Sequence, residues 1–194
     1  MPTIYTIGHS NQPLDEFLRL LLLHRLEVLV DVRSAPYSKY TTQFNSAPLK
    51  TSVTAAGCKY LYLGDELGGR PKGAAFYDAE GHVRYDRVAE SPLFLAGITR
   101  VETGIARYRV ALLCSEEDPT GCHRRLLVGR VLTGRGTTVC HIRGDGRLQA
   151  EAELAAAEAA AAPQATLFAL EDVTPWRSIR SVLPKNGRPS SSDS

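Results

Sequence analysis

This chain has few excesses, and what it lacks is more informative. Its 194 residues set 23 Lys and Arg against 21 Asp and Glu, a net charge of +2. That balance lacks the basic surplus that draws a protein to nucleic acid by bulk electrostatics. No apolar run approaches the about 18 residues that cross a bilayer as a helix. The opening Met1-Pro-Thr-Ile-Tyr has no basic segment followed by an apolar one, so it does not read as a secretory signal. Cysteine is scarce, at positions 58, 114, 122 and 140, and no two are spaced as Cys-x-x-Cys. A zinc ribbon or a disulfide framework is not indicated, and reduced thiols in a cytoplasmic protein are the expectation. No membrane partner is expected.

What remains is a composition of 43% hydrophobic and 23% charged residues, ordinary for a globular domain. Short β-rich runs alternate with helical periodicity. Thr3–Gly8, Glu27–Arg33, Lys59–Leu63, Val110–Cys114 and Thr137–Ile142 read as strands. Leu14, Phe17, Leu18, Leu21 and Leu22 recur at helical spacing. Further helices are expected from Pro48 to Ala56, from about Ser91 to Tyr108, and from Pro119 to Leu132, where Asp118 resembles a cap. This alternation predicts an α/β fold, a single three-layer sandwich with a largely parallel sheet of about five strands. The α/β domain is expected over 1–148, an Ala-rich helix and C-terminal extension over 149–176, and a disordered tail over 177–194.

The densest chemistry lies in Cys114-Ser-Glu-Glu-Asp-Pro-Thr-Gly-Cys122-His-Arg-Arg125, between an apolar strand and a helical pattern. In a parallel sheet such turns share the carboxyl edge with the turns after the other strands, where ligands bind. Strand one ends in Gly8-His9-Ser10-Asn11, and strand two ends in Asp31 and Arg33 before a loop holding Tyr37, Tyr40, Gln43, Phe44 and Asn45. Strand three leads to Glu66-Leu-Gly-Gly-Arg70. These groups are expected to converge on one pocket.

The same pieces carry a resemblance. Thr6-Ile-Gly-His-Ser-Asn11, Val30-Asp-Val-Arg33, Gln43-Phe-Asn45, Glu66-Leu-Gly-Gly69, Leu113-Cys-Ser-Glu116 and Cys122-His-Arg124 resemble the bacterial family catalogued as domain of unknown function 488. The resemblance spans roughly residues 3 to 143 and implies one α/β domain with these motifs facing one cleft. It brings no reaction with it.

The residues themselves suggest roles. Cys122, at the start of a helix whose free N–H groups stabilise a thiolate, and Cys114 are candidate nucleophiles. His123, Asp31, Glu66 and Glu116 are candidates for moving protons. His9, Ser10, Asn11, Arg33, Gln43, Asn45, Arg70 and Arg124 are candidate substrate contacts, with Arg33 and Arg124 suited to clamp an anion. Tyr37, Tyr40 and Phe44 offer ring faces to a flat base. The duller alternatives are a small buried thiol, and ion pairs of Asp31 and Glu66 with Arg33 and Arg70.

Cys114, Cys122, His123 and His9 are also zinc-ligand types. Seven residues between the cysteines fit no common zinc spacing, and Cys122 and His123 diverge if both are helical. No metal is assigned, and the cofactor is left open. A cysteine-phosphatase cradle needs an arginine six residues after Cys114, where Thr120 stands.

One further segment, Gln164-Ala-Thr-Leu-Phe168, resembles the bacterial sliding-clamp-binding peptide, with Ala165 and Thr166 departing from its pattern. Gln164, Leu167 and Phe168 would then contact the partner, or Leu167 and Phe168 would pack on the domain. The expectation is a hydrolase or transferase with a Cys nucleophile, acting on an anionic small molecule, a nucleotide or a nucleic acid. The alternative is a non-catalytic nucleic-acid or clamp-associated binding module in DNA metabolism.

Overall fold

The computed structural model describes residues 1–161 and 176–182. Five short strands, β1 (Thr3–Gly8), β2 (Val28–Asp31), β3 (Lys59–Tyr62), β4 (Val110–Cys114) and β5 (Thr138–Ile142), pair in parallel. A sixth, β6 (Leu148–Ala150), pairs antiparallel with β5 and completes the order β3-β2-β4-β1-β5-β6. Strands β2 and β4 are buried along their whole length, as a sheet covered on both faces requires.

Alternating side chains divide the core in two. Tyr5, Ile7, Leu29, Ala111 and Leu113 face helices α1 (Leu14–Leu23) and α2 (Ser46–Ala55). Ile4, Val28, Val30, Val110 and Leu112 face α4 (Tyr85–Ala89), α5 (Pro92–Ile105) and the helix after β4. The short α3 (Gly64–Leu67) joins β3 to this second layer. Three layers result, as the alternation of patterns predicts. Local chemistry sets the boundaries: Ser91 caps α5 through the Phe94 N–H with Pro92 in its first turn, and Gly57 leaves α2 at φ +84°.

Three expectations require correction. The helix after β4 begins at His123, not Pro119, because Asp118 caps only a turn through the Thr120 N–H. It opens as a π-helical turn, Arg124–Gly129, and continues as α6 (Arg130–Gly134). The proposed boundary at 148 cuts into β6, and the Ala-rich helix α7 (Glu151–Ala161) packs on β5 and β6. Residues 177–182 are not a disordered tail. The Ser178 N–H donates to the Val83 carbonyl and the Val83 N–H to Ser178 Oγ, the Val182 N–H reaches the Gly81 carbonyl, and Arg177 pairs with Asp78 at 2.7 Å. The Trp176 indole donates to the Leu126 carbonyl at 2.6 Å, fixing the near end of this segment. Gln164, Leu167 and Phe168 lie outside the described residues. Among those described, no helix is long and apolar enough to cross a membrane.

Strands β1 and β4 are neighbours, with Gly8 opposite Cys114, and their connections leave to opposite faces of the sheet. This is the topological switch point at which open α/β sheets bind ligands. The two exits are laced together: the His9 N–H donates to the Cys114 carbonyl at 3.1 Å and the Ser10 N–H to the Ser115 carbonyl at 2.8 Å. A Cβ at Gly8 would collide with the Glu116 carbonyl and come within 2.8 Å of the Glu117 Cα. Gly8→Ala should therefore destabilise the fold by about 1–3 kcal/mol through overpacking against backbone. Urea unfolding with unchanged slope measures it, and a midpoint equal to wild type would refute the close approach.

Candidate functional site

A cavity of about 460 Å³ opens at the carboxyl edge of β2 and β4. Its lining comes from five parts of the chain. Arg33, Ser34, Ala35 and Tyr37 follow β2, Gly69 and Arg70 follow α3, Cys114, Ser115, Glu116 and His123 belong to the turn after β4, and Ser178–Val182 close one side. Tyr85 adds a buried wall from α4.

At its floor, Cys114 is 6% exposed and its Sγ lies 3.7 Å from His123 Nδ1. His123 Nε2 donates to the Val32 carbonyl at 2.9 Å, which turns Nδ1 toward the thiol. Gly69 makes that seat available, since a Cβ there would stand 2.7 Å from the His123 ring. Cys122, 1% exposed, does not line the cavity, and its Sγ lies within 4.8 Å of the Cys114 thiol. The facing Cys122 thiol, with the positive charge at His123 and Arg124, holds the Cys114 thiol well below its ordinary pKa against the opposing effect of burial. Burial and the neighbouring Cys114 push Cys122 the other way. Burial alone would lower His123, but the Cys114 charge and hydrogen bonds raise it. The two shifts run in opposite directions, and of the two candidate thiols it is Cys114, the one that lines the cavity, whose environment favours a thiolate.

Donor atoms of Cys114, Cys122 and His123 all lie within 4.8 Å of one another. The divergence expected of adjacent helical residues does not occur, because Cys122 precedes the first helical residue. This donor set is compact enough to hold a soft divalent ion as well as to share a proton. His9 is not part of it. Its ring stacks on Phe44 at 4.3 Å, so Phe44 is buried packing and not a base platform.

Arg124 is outside the cavity lining. It is 0% exposed, and its guanidinium donates to the carbonyls of Glu116 and Glu117 and, at 3.2 Å, to Thr6 Oγ1. Arg33 lines the cavity, but Asp31 takes its Nε at 2.9 Å and Nη2 at 2.6 Å. Asp31 accepts further bonds from the Arg33 N–H at 3.1 Å and from Tyr60 at 2.6 Å, and it is fully buried and outside the cavity lining. Glu66 is bound to Arg100 at 2.5 Å, not to Arg70, and lies outside the cavity lining. Ser10 and Asn11 are solvent-exposed beside it, and Gln43 also stays out of the lining. Asn45 shapes its own loop by accepting the Ser38 N–H at 2.6 Å.

The sequence reading thus brings Arg33, Arg70, Cys114, Glu116 and His123 to one cavity, with Cys122 just behind it. It missed Tyr85 and Ser178–Val182. Trp176, the chain's one tryptophan, was their single sequence signal, a large apolar anchor within a polar extension. Arg70 and Arg180 are exposed at the mouth with no carboxylate partner among the described residues. Tyr37, 77% exposed, stands beside them.

Residues 13–131, more than half of the chain, match the family described as Domain of unknown function DUF488, and the chain belongs to it. The match covers β2 to β4 and the Cys114–Arg125 turn but not His9. No curated protein and no solved structure matches the chain.

His9 generates a pH prediction. Its Nδ1 donates to the Ser10 carbonyl at 2.6 Å, and Nε2 accepts from Arg33 Nη1 at 3.0 Å. Protonation would remove that acceptor and set two cations together. Burial foremost, with Arg33, lowers its pKa to about 4. The unfolded chain then binds more protons than the fold between an ordinary histidine pKa and about 4. This stability is present near neutral pH and lost as pH falls, roughly 2 kcal/mol between pH 7 and pH 5. Chemical unfolding at both pH values should show that loss in wild type and a smaller one in His9→Gln. Equal losses would show that His9 is not the group responsible.

Proposed function

We propose that this protein is a hydrolase or transferase in which Cys114 attacks a small anionic substrate. The observation that carries this reading is the position of Cys114 Sγ, at the floor of an open cavity between the Cys122 thiol and the oriented His123 ring. Such an arrangement is a nucleophile, a base and an orienting acceptor, here the Val32 carbonyl. His123 takes the thiol proton, and the thiolate forms a bond to the electrophilic centre. The leaving group departs with the proton from His123 Nδ1. Water or an acceptor then displaces the thiolate and returns a proton to His123.

The anion is assigned to Arg70 and Arg180, because Arg33 is neutralised by Asp31 and Arg124 holds backbone. Tyr37 offers its ring to a flat group, which favours a nucleotide-like substrate. A volume of about 460 Å³ suits a small ligand better than a duplex, and so favours an enzyme over a nucleic-acid-binding module.

Alkylation by iodoacetamide tests the proposal. Cys114 should react at a rate that stays flat as pH falls from 9 through 7, since its charge is set by Cys122, His123 and Arg124. Tyr85, Glu116 and Arg33 also face it and keep their places in this range. His123→Gln should slow the reaction and shift its pH midpoint upward. Adenosine monophosphate should protect Cys114, and Arg180→Ala should weaken that protection about tenfold, the loss of one charged contact. A rate that falls with an ordinary thiol midpoint near pH 8.5 would overturn the nucleophile. Reactivity that emerges only after chelation would instead identify a metal on the three donors.

A further inference from the structure

The reaction above leaves Cys122 without a direct role. It is 1% exposed and does not line the cavity, and its Sγ lies within 4.8 Å of the Cys114 thiol. An acid–base partner for Cys114 is already present in His123, so a second thiol at this position calls for its own chemistry. We infer that Cys114 and Cys122 form a hydroperoxide-responsive dithiol, with Cys114 the oxidised thiol and Cys122 the one that resolves it into a disulfide. The inference rests on the reading of Cys114 as an accessible thiolate.

The chemistry balances. The Cys114 thiolate attacks one oxygen of hydrogen peroxide, the O–O bond breaks, hydroxide leaves, and sulfenic acid forms on Cys114. Cys122 then attacks that sulfur, the S–O bond breaks, and the hydroxyl departs as water with the Cys122 proton. Two thiols are oxidised and one peroxide is reduced to two waters. An external dithiol such as dithiothreitol reverses the product by exchange. His123 Nδ1–H supplies a proton to the first leaving oxygen.

Geometry supports the pair. The two sulfurs lie within 4.8 Å and must approach to about 2.05 Å. Arg124 clamps the Glu116 and Glu117 carbonyls, so the movement falls on the Thr120–Gly121 hinge just before Cys122. Gly121 is exposed, and a Cβ added there would meet only the Ile179 side chain, at 3.9 Å, so this position has room to move. The bond would close the cavity floor and remove the nucleophile, coupling activity to oxidant level. The other two thiols are internal controls. Burial pushes Cys58 up to about 11, and Cys140 is raised in the same way.

The full chain, treated with one equivalent of hydrogen peroxide and digested with trypsin after thiol blocking, tests this. Arg109 and Arg124 bound a single peptide, residues 110–124, that holds both cysteines. The expected product is this peptide lighter by two hydrogens, restored by dithiothreitol, with Cys58 and Cys140 still blocked as thiols. Cys122→Ser should accumulate a dimedone-reactive sulfenic acid at Cys114 and form no intrachain bond. Cys114→Ser should leave Cys122 reduced. Persistent sulfenic acid in the wild type, with Cys122 free, would overturn the inference while iodoacetamide reactivity at Cys114 upheld the function. Inertness of Cys114 to both reagents would overturn both.

Discussion

Two adjacent arginines, Arg124 and Arg125, enter the interior at the start of the helix that follows β4, and the rest of the molecule is arranged around their demands. A buried guanidinium is tolerable only when its donors are all met. Arg124 meets them with the carbonyls of Glu116 and Glu117, which bends the Cys114–Cys122 turn back over Gly8, and with Thr6 Oγ1. Thr6 bonds to His141 at 2.8 Å, His141 to Glu151 at 2.8 Å, and Glu151 to Arg125 at 2.9 Å, while Glu158 takes the rest of Arg125. One connected network thus runs from the reactive turn through β1 and β5 to α7. The turn keeps its shape because the far side of the sheet is tied to it.

This explains why one thiol differs from the other. Two cysteines on a freely moving loop would share their environment and titrate alike. Here the clamped carbonyls fix Cys114 against the cavity, and Cys122 is left behind it in the core. The asymmetry comes from backbone held by Arg124, with His123 fixed independently by Val32. The π-helical turn belongs to the same constraint. It lets both arginines and His123 point to different partners within the first turn, a use to which such irregular helices are often put at reactive sites.

Strong periodicity made the fold legible. Strands β1 to β5 and helices α1, α2 and α5 can be read because each buries an apolar face over several residues. Strand β6 escapes that reading, since Leu148-Gln-Ala150 has too little pattern of its own and exists through its pairing with β5. Convergence of Arg33, Arg70, Cys114, Glu116 and His123 was legible from their shared position after parallel strands. Which arginine turns inward was not. Sequence favours Arg33 and Arg124 as the anion clamp, and only the carboxylate met by one and the carbonyls met by the other separate them from the open charge of Arg70. For Asp31 the pairing with Arg33 that the sequence offered as an alternative is the one formed, whereas Glu66 pairs with Arg100, a partner that only the three-dimensional packing supplies.

The clasp of residues 176–182 against Gly81–Tyr85 has a consequence for the order in which the site comes into being. All six strands and the reactive turn are contained within residues 1–150, so a chain emerging from the ribosome can assemble its sheet early. The wall built from Ser178–Val182 arrives only after α7 and sixteen more residues have been made. Until then the cavity stands open on one side, with Arg180 absent from its mouth. Synthesis itself therefore separates the folding of the sheet from the enclosure of the cavity.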